Sequence, residues 1–437
     1  MADTSGLRRS LSLRDLIVYG LLFIGPLAPV GVFGVLDART GGAVATVYLL
    51  ATAAMAFTAW SYAEMSRVIP HAGSVFAYAS RGLGSTAGFL AGWLAMLDYL
   101  LIPSVAYLFS GIALHALVPS VPAWVFTALA LIATTALNLA GVTVAARAGL
   151  VVLVAEVMIL VLFLILAIVF LAEHGPARPW SAPLVGAGAF ELSAVIGAVS
   201  IAVLSFLGFD AIASFAEESA GDSRQVGIAI LACLGMAGVL FVAQSYLAAV
   251  ISVTPPADLL AHPERQGTAF YDLTRAALGG WMATLLAAAK AIGPAFAAMT
   301  AQAASARLLL GMARDGRLPS ALARVDAGRG VPVVSLTAAA TLTLVVSVWA
   351  ARRADGLEVL VSIVDVGALA AFVLLHASVI GFFVARRQAT ARMAHWLIPA
   401  LGGLVTIWVI AESGPFAKMV ALGWLGLGLA VMAVRRR

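Results

Sequence analysis

Charge is scarce in this sequence. Asp, Glu, Lys and Arg make up 11% of its 437 residues, where a soluble chain averages about 25%. So little polar material cannot clothe a soluble surface, and with 62% hydrophobic residues the solvent for most of the chain must be lipid. Cysteine is scarcer still. Cys233 stands alone inside an apolar run, which excludes a disulfide framework and a Cys-based metal site. His115, His174, His262 and the other histidines show no metal-ligand spacing. There is no Walker loop and no HExxH segment, so neither ATP drive nor zinc protease chemistry is supported. No clustered nucleophile and base is visible, so an enzyme is not expected, and no cofactor or metal is implied. The net charge of +5 comes from basic residues scattered between apolar runs. That pattern speaks for membrane orientation and against nucleic acid. Arg8, Arg9 and Arg14 precede an apolar run, but further spans follow and no A-x-A site is present, so no cleavable signal peptide is expected.

What is abundant is apolar sequence in span-length blocks. Twelve are predicted, at roughly 14–36, 43–65, 87–115, 122–140, 147–172, 191–216, 226–253, 279–306, 332–350, 356–384, 393–412 and 416–434. Most reach the roughly 20 residues needed to cross the hydrocarbon layer. Strict alternation is missing, so the spans are predicted to be helices of an all-α polytopic protein, not barrel strands. With both termini inside, the internal segments hold 18 of the 26 Lys and Arg residues and the external ones 7, with Lys290 inside a span. The asymmetry predicts cytoplasmic termini.

Two spans are interrupted. Span 1 carries Gly25-Pro26-Leu27-Ala28-Pro29-Val30-Gly31 in mid-membrane. Proline removes a backbone donor and clashes with the preceding turn. Freed backbone groups are tolerated at that depth only when buried in protein or lining a cavity. Span 6 reads Ser205-Phe206-Leu207-Gly208-Phe209-Asp210, with Gly208 and Asp210 breaking the apolar run. The two spans hold corresponding places in two five-helix halves, and such pairs point to a transporter's binding site. Half-helix N-termini offer N–H groups to an anion and C-termini offer carbonyls to a cation. An amino acid carries both charges; a diamine would use carbonyls and carboxylates.

These residues resemble the amino acid–polyamine–organocation superfamily. Phe206 to Ala211 with Glu217-Glu218, Tyr62-Ala63-Glu64, and Pro70 to Tyr78 are similar to motifs of its cationic amino acid and putrescine carriers. Leu97-Asp98-Tyr99 through Pro103 resembles the putrescine importers in particular, and Ser305 to Asp315 with Leu318-Pro319 matches the end of span 8. The resemblance runs from about Leu11 onward. It implies a LeuT-like 5+5 inverted repeat plus two extra helices. Repeat one would cover about 14–172, repeat two about 191–384 and the extra helices about 393–434. It also implies alternating access with coupling to protons or exchange. The span 1 motif departs from the glycine-rich form of the amino acid carriers and is similar to the proline-containing form of the putrescine importers.

Charges inside the spans are functional candidates, because a mid-membrane charge costs roughly 2.5–3.5 kcal/mol on insertion scales. Asp98 beside Tyr99 in span 3 occupies a place where similar cationic carriers face the substrate ammonium; a helix-packing hydrogen bond is the alternative. Asp210 either reads substrate or caps the second half-helix. Glu156 in span 5 and Lys290 in span 8 are predicted to form the coupling pair, against the alternative of a static ion pair. Several relatives have a lysine on helix 5, so the resemblance implies a swapped arrangement. Asp365 in span 10 is a gate candidate or a vestibule residue. Glu217 and Glu218 are expected at the inner mouth of span 6, most simply as a solvated loop beside Arg224. The arginines after span 8 are most simply orientation signals.

The substrate site is therefore predicted from Gly25, Pro26, Leu27, Ala28, Pro29, Gly31, Asp98, Tyr99, Phe206, Gly208, Phe209 and Asp210. The expected function is secondary active import of a small cationic amine or amino acid, putrescine-like first, by proton symport in a bacterial inner membrane. A neutral amino acid permease or exchanger is the alternative. The expected partners are that small molecule, protons and the bilayer.

Overall fold

A computed structural model of the protein describes residues 9–70, 74–118, 120–187, 191–222, 224–326, 328–353, 356–412 and 415–435. The helices in chain order are α1 (Leu13–Ile24), α2 (Ala28–Arg39), α3 (Val44–Val68), α4 (Val75–Gly82), α5 (Ser85–Leu117), α6 (Ala123–Ala140), α7 (Val142–His174), α8 (Ala182–Val185) and α9 (Leu192–Leu204). A 3-10 segment, Phe209–Glu218, follows. The chain continues through α10 (Arg224–Ile251), α11 (Pro256–Ala261), α12 (Ala269–Leu278), α13 (Gly280–Arg314), α14 (Val333–Ala351), α15 (Gly356–Val379), α16 (Ala394–Glu412) and α17 (Pro415–Arg435). Among the described residues there is no strand, only two isolated bridges.

Among the described residues ten helical stretches are long and apolar enough to span a bilayer. The bent pair α1 and α2 makes an eleventh. The twelfth predicted block corresponds to α17, which contains the apolar stretch Lys418–Met432. Apolar side chains point outward along these helices: Val151, Met158, Ile165 and Ile168 on α7, Leu129 and Ile132 on α6, Leu404 and Ile407 on α16. Their polar backbone is satisfied within the helix, so only hydrocarbon need meet the lipid.

Span 1 shows how local sequence sets the architecture. It starts at a capping box, in which Asp15 N–H donates to Ser12 Oγ at 3.3 Å and Ser12 N–H donates to Asp15 Oδ2 at 2.9 Å. Gly25 then turns to φ 74°, and the chain resumes as α2 at an angle of 42°. The break is narrower than the proline–glycine run suggests. It comprises Gly25, Pro26 and Leu27, while Ala28 and Pro29 already lie in the first turn of α2. A proline there loses nothing, because the first-turn N–H groups have no intrahelical acceptor. Gly31 is exposed on α2, away from the break.

Two buried ion pairs close the bundle at opposite ends. Where α1 begins, Arg307 of α13 pairs with Glu218, its Nη2 donating to Oε2 at 2.9 Å, and its guanidinium lies 4.2 Å from the Phe215 ring centroid. Arg314 holds Glu217 at 2.7 Å. The N-terminal segment joins this latch, since Ser10 and Leu11 N–H both donate to the Glu218 carbonyl. These contacts correct the expectation of solvated glutamates and purely orienting arginines: Arg307 and Glu218 are both buried. At the opposite end Arg178, in the segment after α7, makes a bidentate pair with Asp37 of α2 at 2.7 and 2.8 Å. It also donates to Ser252 Oγ just beyond α10.

Candidate functional site

The two interruptions meet. Gly208 adopts φ 117°, in the left-handed region, and a Cβ there would run into the ring of Phe23, two residues before Gly25. Only glycine satisfies both the dihedral and the close approach. Gly25 itself has open space where a side chain would project. The crossing of the breaks thus has room beside it. Leu22 has lost its helical donor, because Pro26 carries no N–H.

Asp210 lies in the first turn of the 3-10 segment and is buried. Its Oδ2 accepts from Tyr99 Oη of α5 at 2.6 Å and from Tyr62 Oη of α3 at 3.3 Å. Oδ1 has no hydrogen-bond partner among the described residues. No Lys, Arg or His pairs with it among the described residues. Aromatic rings wall this carboxylate. Phe209 stands edge-on to Tyr62 at 6.3 Å and lies 6.1 Å from Phe372. Phe206 packs on the other side of Gly208, 4.9 Å from Phe241 of α10 and 6.4 Å from Tyr48 of α3.

The remaining predicted residues separate into three places. Asp98 is buried where α5 meets α15, beside Gly367. Its neighbour Tyr99 turns instead toward Asp210, as successive residues on a helix face about 100° apart. Glu156 on α7 is buried against Gly293 of α13, its carboxylate filling the space that a side chain at 293 would take. Lys290 is one turn away on α13, before the internal Pro294. Among the described residues their head groups form no ion pair within 4.0 Å. A direct static ion pair is therefore not what this conformation holds. Asp365 falls in α15, and its side chain lies outside the described residues.

Sequence reasoning passed over Tyr62 as a site residue, although it opens a motif already singled out. It also missed Gln244 of α10, whose Nε2 donates to the Pro26 carbonyl at 2.9 Å and braces the span 1 break. A lone amide in an otherwise apolar span was the available signal.

A polytopic helical bundle with two interrupted spans crossing at a buried carboxylate defines a membrane transporter, not an enzyme. Residues 16–423 match the amino acid permease family, and the chain belongs to it. It is similar to the low-affinity putrescine importer PlaP of Escherichia coli K12, 28% identical across 98% of this chain and 93% of that protein. The branched-chain amino acid permease BcaP of Bacillus subtilis is 26% identical across 99% of this chain and 94% of its own length. Cationic amino acid transporter 4, vacuolar, of Arabidopsis thaliana is 29% identical across 84% of this chain and 62% of its own. The protein is a multi-pass membrane transporter of amino acids or amines.

Proposed function

We propose that the protein imports a small cationic amine or amino acid, putrescine-like first, by proton-coupled alternating access across a bacterial inner membrane, with both termini cytoplasmic. The observation that carries this reading is Asp210: a buried carboxylate at the crossing of two broken helices, held by two tyrosine hydroxyls and by no cation among the described residues. A buried charge without a counter-ion is costly. A substrate ammonium supplies that counter-ion and gains the negative end of α1 as well. Asp98, next along α5 from Tyr99, adds a second negative charge for a dication. Gly25, Pro26, Leu27, Phe206, Gly208 and Phe209 would shape the cavity. Glu156 and Lys290 would carry the coupling proton. The two five-helix repeats would supply the scaffold for alternation.

The similarity to a protein named as a putrescine importer supports the amine. A second reading, a neutral amino acid permease or exchanger, is favoured by Lys290, an internal cation that offsets one carboxylate, and by the similarity to a branched-chain permease. Uptake into proteoliposomes under a set pH gradient decides, using labelled putrescine, arginine, alanine and glutamate. Saturable, gradient-driven uptake of putrescine or arginine is the expected result. Preference for alanine supports the second reading, and non-saturating flux without trans-stimulation refutes a carrier.

A further inference from the structure

Gln244 is fully buried, and its amide orientation is fixed by its partners. Nε2 donates to the Pro26 carbonyl at 2.9 Å and to the Leu240 carbonyl at 3.1 Å. Turning the amide over would set oxygen against both carbonyls, so the observed orientation is the only favourable one. Its Oε1 is then left buried with no hydrogen-bond partner among the described residues. An orphaned acceptor of this kind costs on the order of 1–3 kcal/mol, unless something else occupies it. Three further observations say where it sits. The braced carbonyl belongs to the break in span 1. Gly25, at the same break, borders open space. Phe241, one turn back on α10, packs on Phe206 beside the break in span 6.

We propose that Gln244 Oε1 accepts an N–H from the substrate's ammonium group, so that Gln244 selects substrates by the number of N–H donors they carry, beyond their charge. This rests on the reading of the crossing as a substrate site, but not on which substrate it takes. The orphaned acceptor approaches from α10, whereas Asp210 is held from α3 and α5. On this reading a primary ammonium has three N–H groups, enough for both acceptors and for the Leu22 carbonyl, which Pro26 leaves without its helical donor. A dimethylated ammonium keeps the positive charge but has one N–H, which the carboxylate claims first because charge-assisted bonds are the stronger.

The test uses the full-length protein in proteoliposomes, with putrescine and alanine as transported probes. Their counterparts with every amine dimethylated, N,N,N′,N′-tetramethylputrescine and N,N-dimethylalanine, serve as competitors, so that they need not be transported. Gln244→Met keeps length and removes both amide functions; Gln244→Glu keeps acceptor oxygens and removes the donor to Pro26. In Gln244→Met the KM of the primary amine is expected to rise roughly tenfold or more, the cost of one hydrogen bond to a charged donor. The inhibition constant of the dimethyl competitor should change less than about twofold, because it makes no such bond. Gln244→Glu should keep most of the preference for the primary amine. If Gln244 only braces the break, Met and Glu will fail alike and for all ligands alike, and the inference is overturned. If alanine is transported and putrescine is not, the cationic-substrate reading falls while this one is still decided, by alanine and its dimethyl derivative. If neither probe is taken up, both fall.

Discussion

Tyr99 Oη lies 2.6 Å from Asp210 Oδ2, joining span 3 to the start of the second half of span 6 across 111 positions of sequence. Tyr62 reaches the same oxygen from span 2, at 3.3 Å. One carboxylate thus ties three spans together, and its hydrogen bonds are the route by which a bound cation would be felt in the helices around it.

The two tyrosines should not be equivalent. Tyr99→Phe removes the shorter, charge-assisted bond, worth about 1.5–3 kcal/mol. The KM of the preferred amine should change by roughly tenfold or more. Tyr62→Phe, at 3.3 Å, should shift it by only about twofold to threefold. Uptake kinetics on both variants check the order. Equal effects would mean that the carboxylate is not positioned by Tyr99.

Asp98 and Asp210 are both proposed to face positive charge, from different elements. Asp98→Asn and Asp210→Asn each keep shape and remove charge. Each should raise the KM of putrescine far more than that of alanine, and Asp210→Asn should be the more severe, since its carboxylate sits at the crossing of the breaks. If Asp98→Asn weakens both substrates equally, Asp98 packs α5 against α15 and reads nothing.

The latch between Arg307 and Glu218 is buried, and removing one partner of such a pair typically costs about 3–5 kcal/mol. Arg307→Met alone should lower the thermal stability of the detergent-solubilised protein markedly. The double variant Arg307→Met with Glu218→Leu should recover most of it, because no charge is stranded. Cys233, the sole cysteine, reports on the conformational consequence. It is buried where α10 meets Gly20 of α1. With the latch gone, a permeant maleimide should label it faster than in the unmodified protein. Unchanged labelling would show that the pair stabilises the fold without gating it.

The large features were legible because they follow from solvent and backbone chemistry. Lipid demands span-length apolar blocks, and two prolines with two glycines between Gly25 and Gly31 work against a continuous helix, whereas the single pair Gly293-Pro294 is carried inside α13. The extent of the break was less legible, since Pro29 is a breaker in mid-helix but a good starter in a first turn, and only the backbone tells which. Partnerships were least legible. Asp37 and Arg178 are 141 positions apart, and Glu218 and Arg307 are 89 apart. No local pattern marks such pairs, so Arg307 reads as a loop charge until the fold sets it over Phe215. Asp210 stood out as a charge within a span and Tyr99 as the neighbour of Asp98, while the other donor, Tyr62, was passed over, because tyrosine is unremarkable in an apolar helix.

Glu156 and Lys290 carry the remaining prediction. Glu156 is buried on α7 against Gly293, and Lys290 is one turn from that glycine on α13. Their opposite charges lie on helices packed together without forming an ion pair, and no hydrogen-bond partner holds either head group among the described residues. An isolated charge in a dry site is costly, and an opposite charge nearby offsets that cost. Such a balance is sensitive to small changes in separation, and α7 and α13 need shift only slightly to change it. A proton taken up in one conformation would then be released in the other, which is the requirement for coupling. Neutralising one partner strands the other, so Glu156→Gln and Lys290→Met should each abolish uptake. The double variant should fold and retain counterflow exchange of labelled putrescine, but lose accumulation driven by a pH gradient. Exchange and net accumulation are measured on the same vesicles, so poor reconstitution lowers both, whereas loss of coupling lowers one. A double variant that still concentrates putrescine against its gradient would show that the proton travels elsewhere.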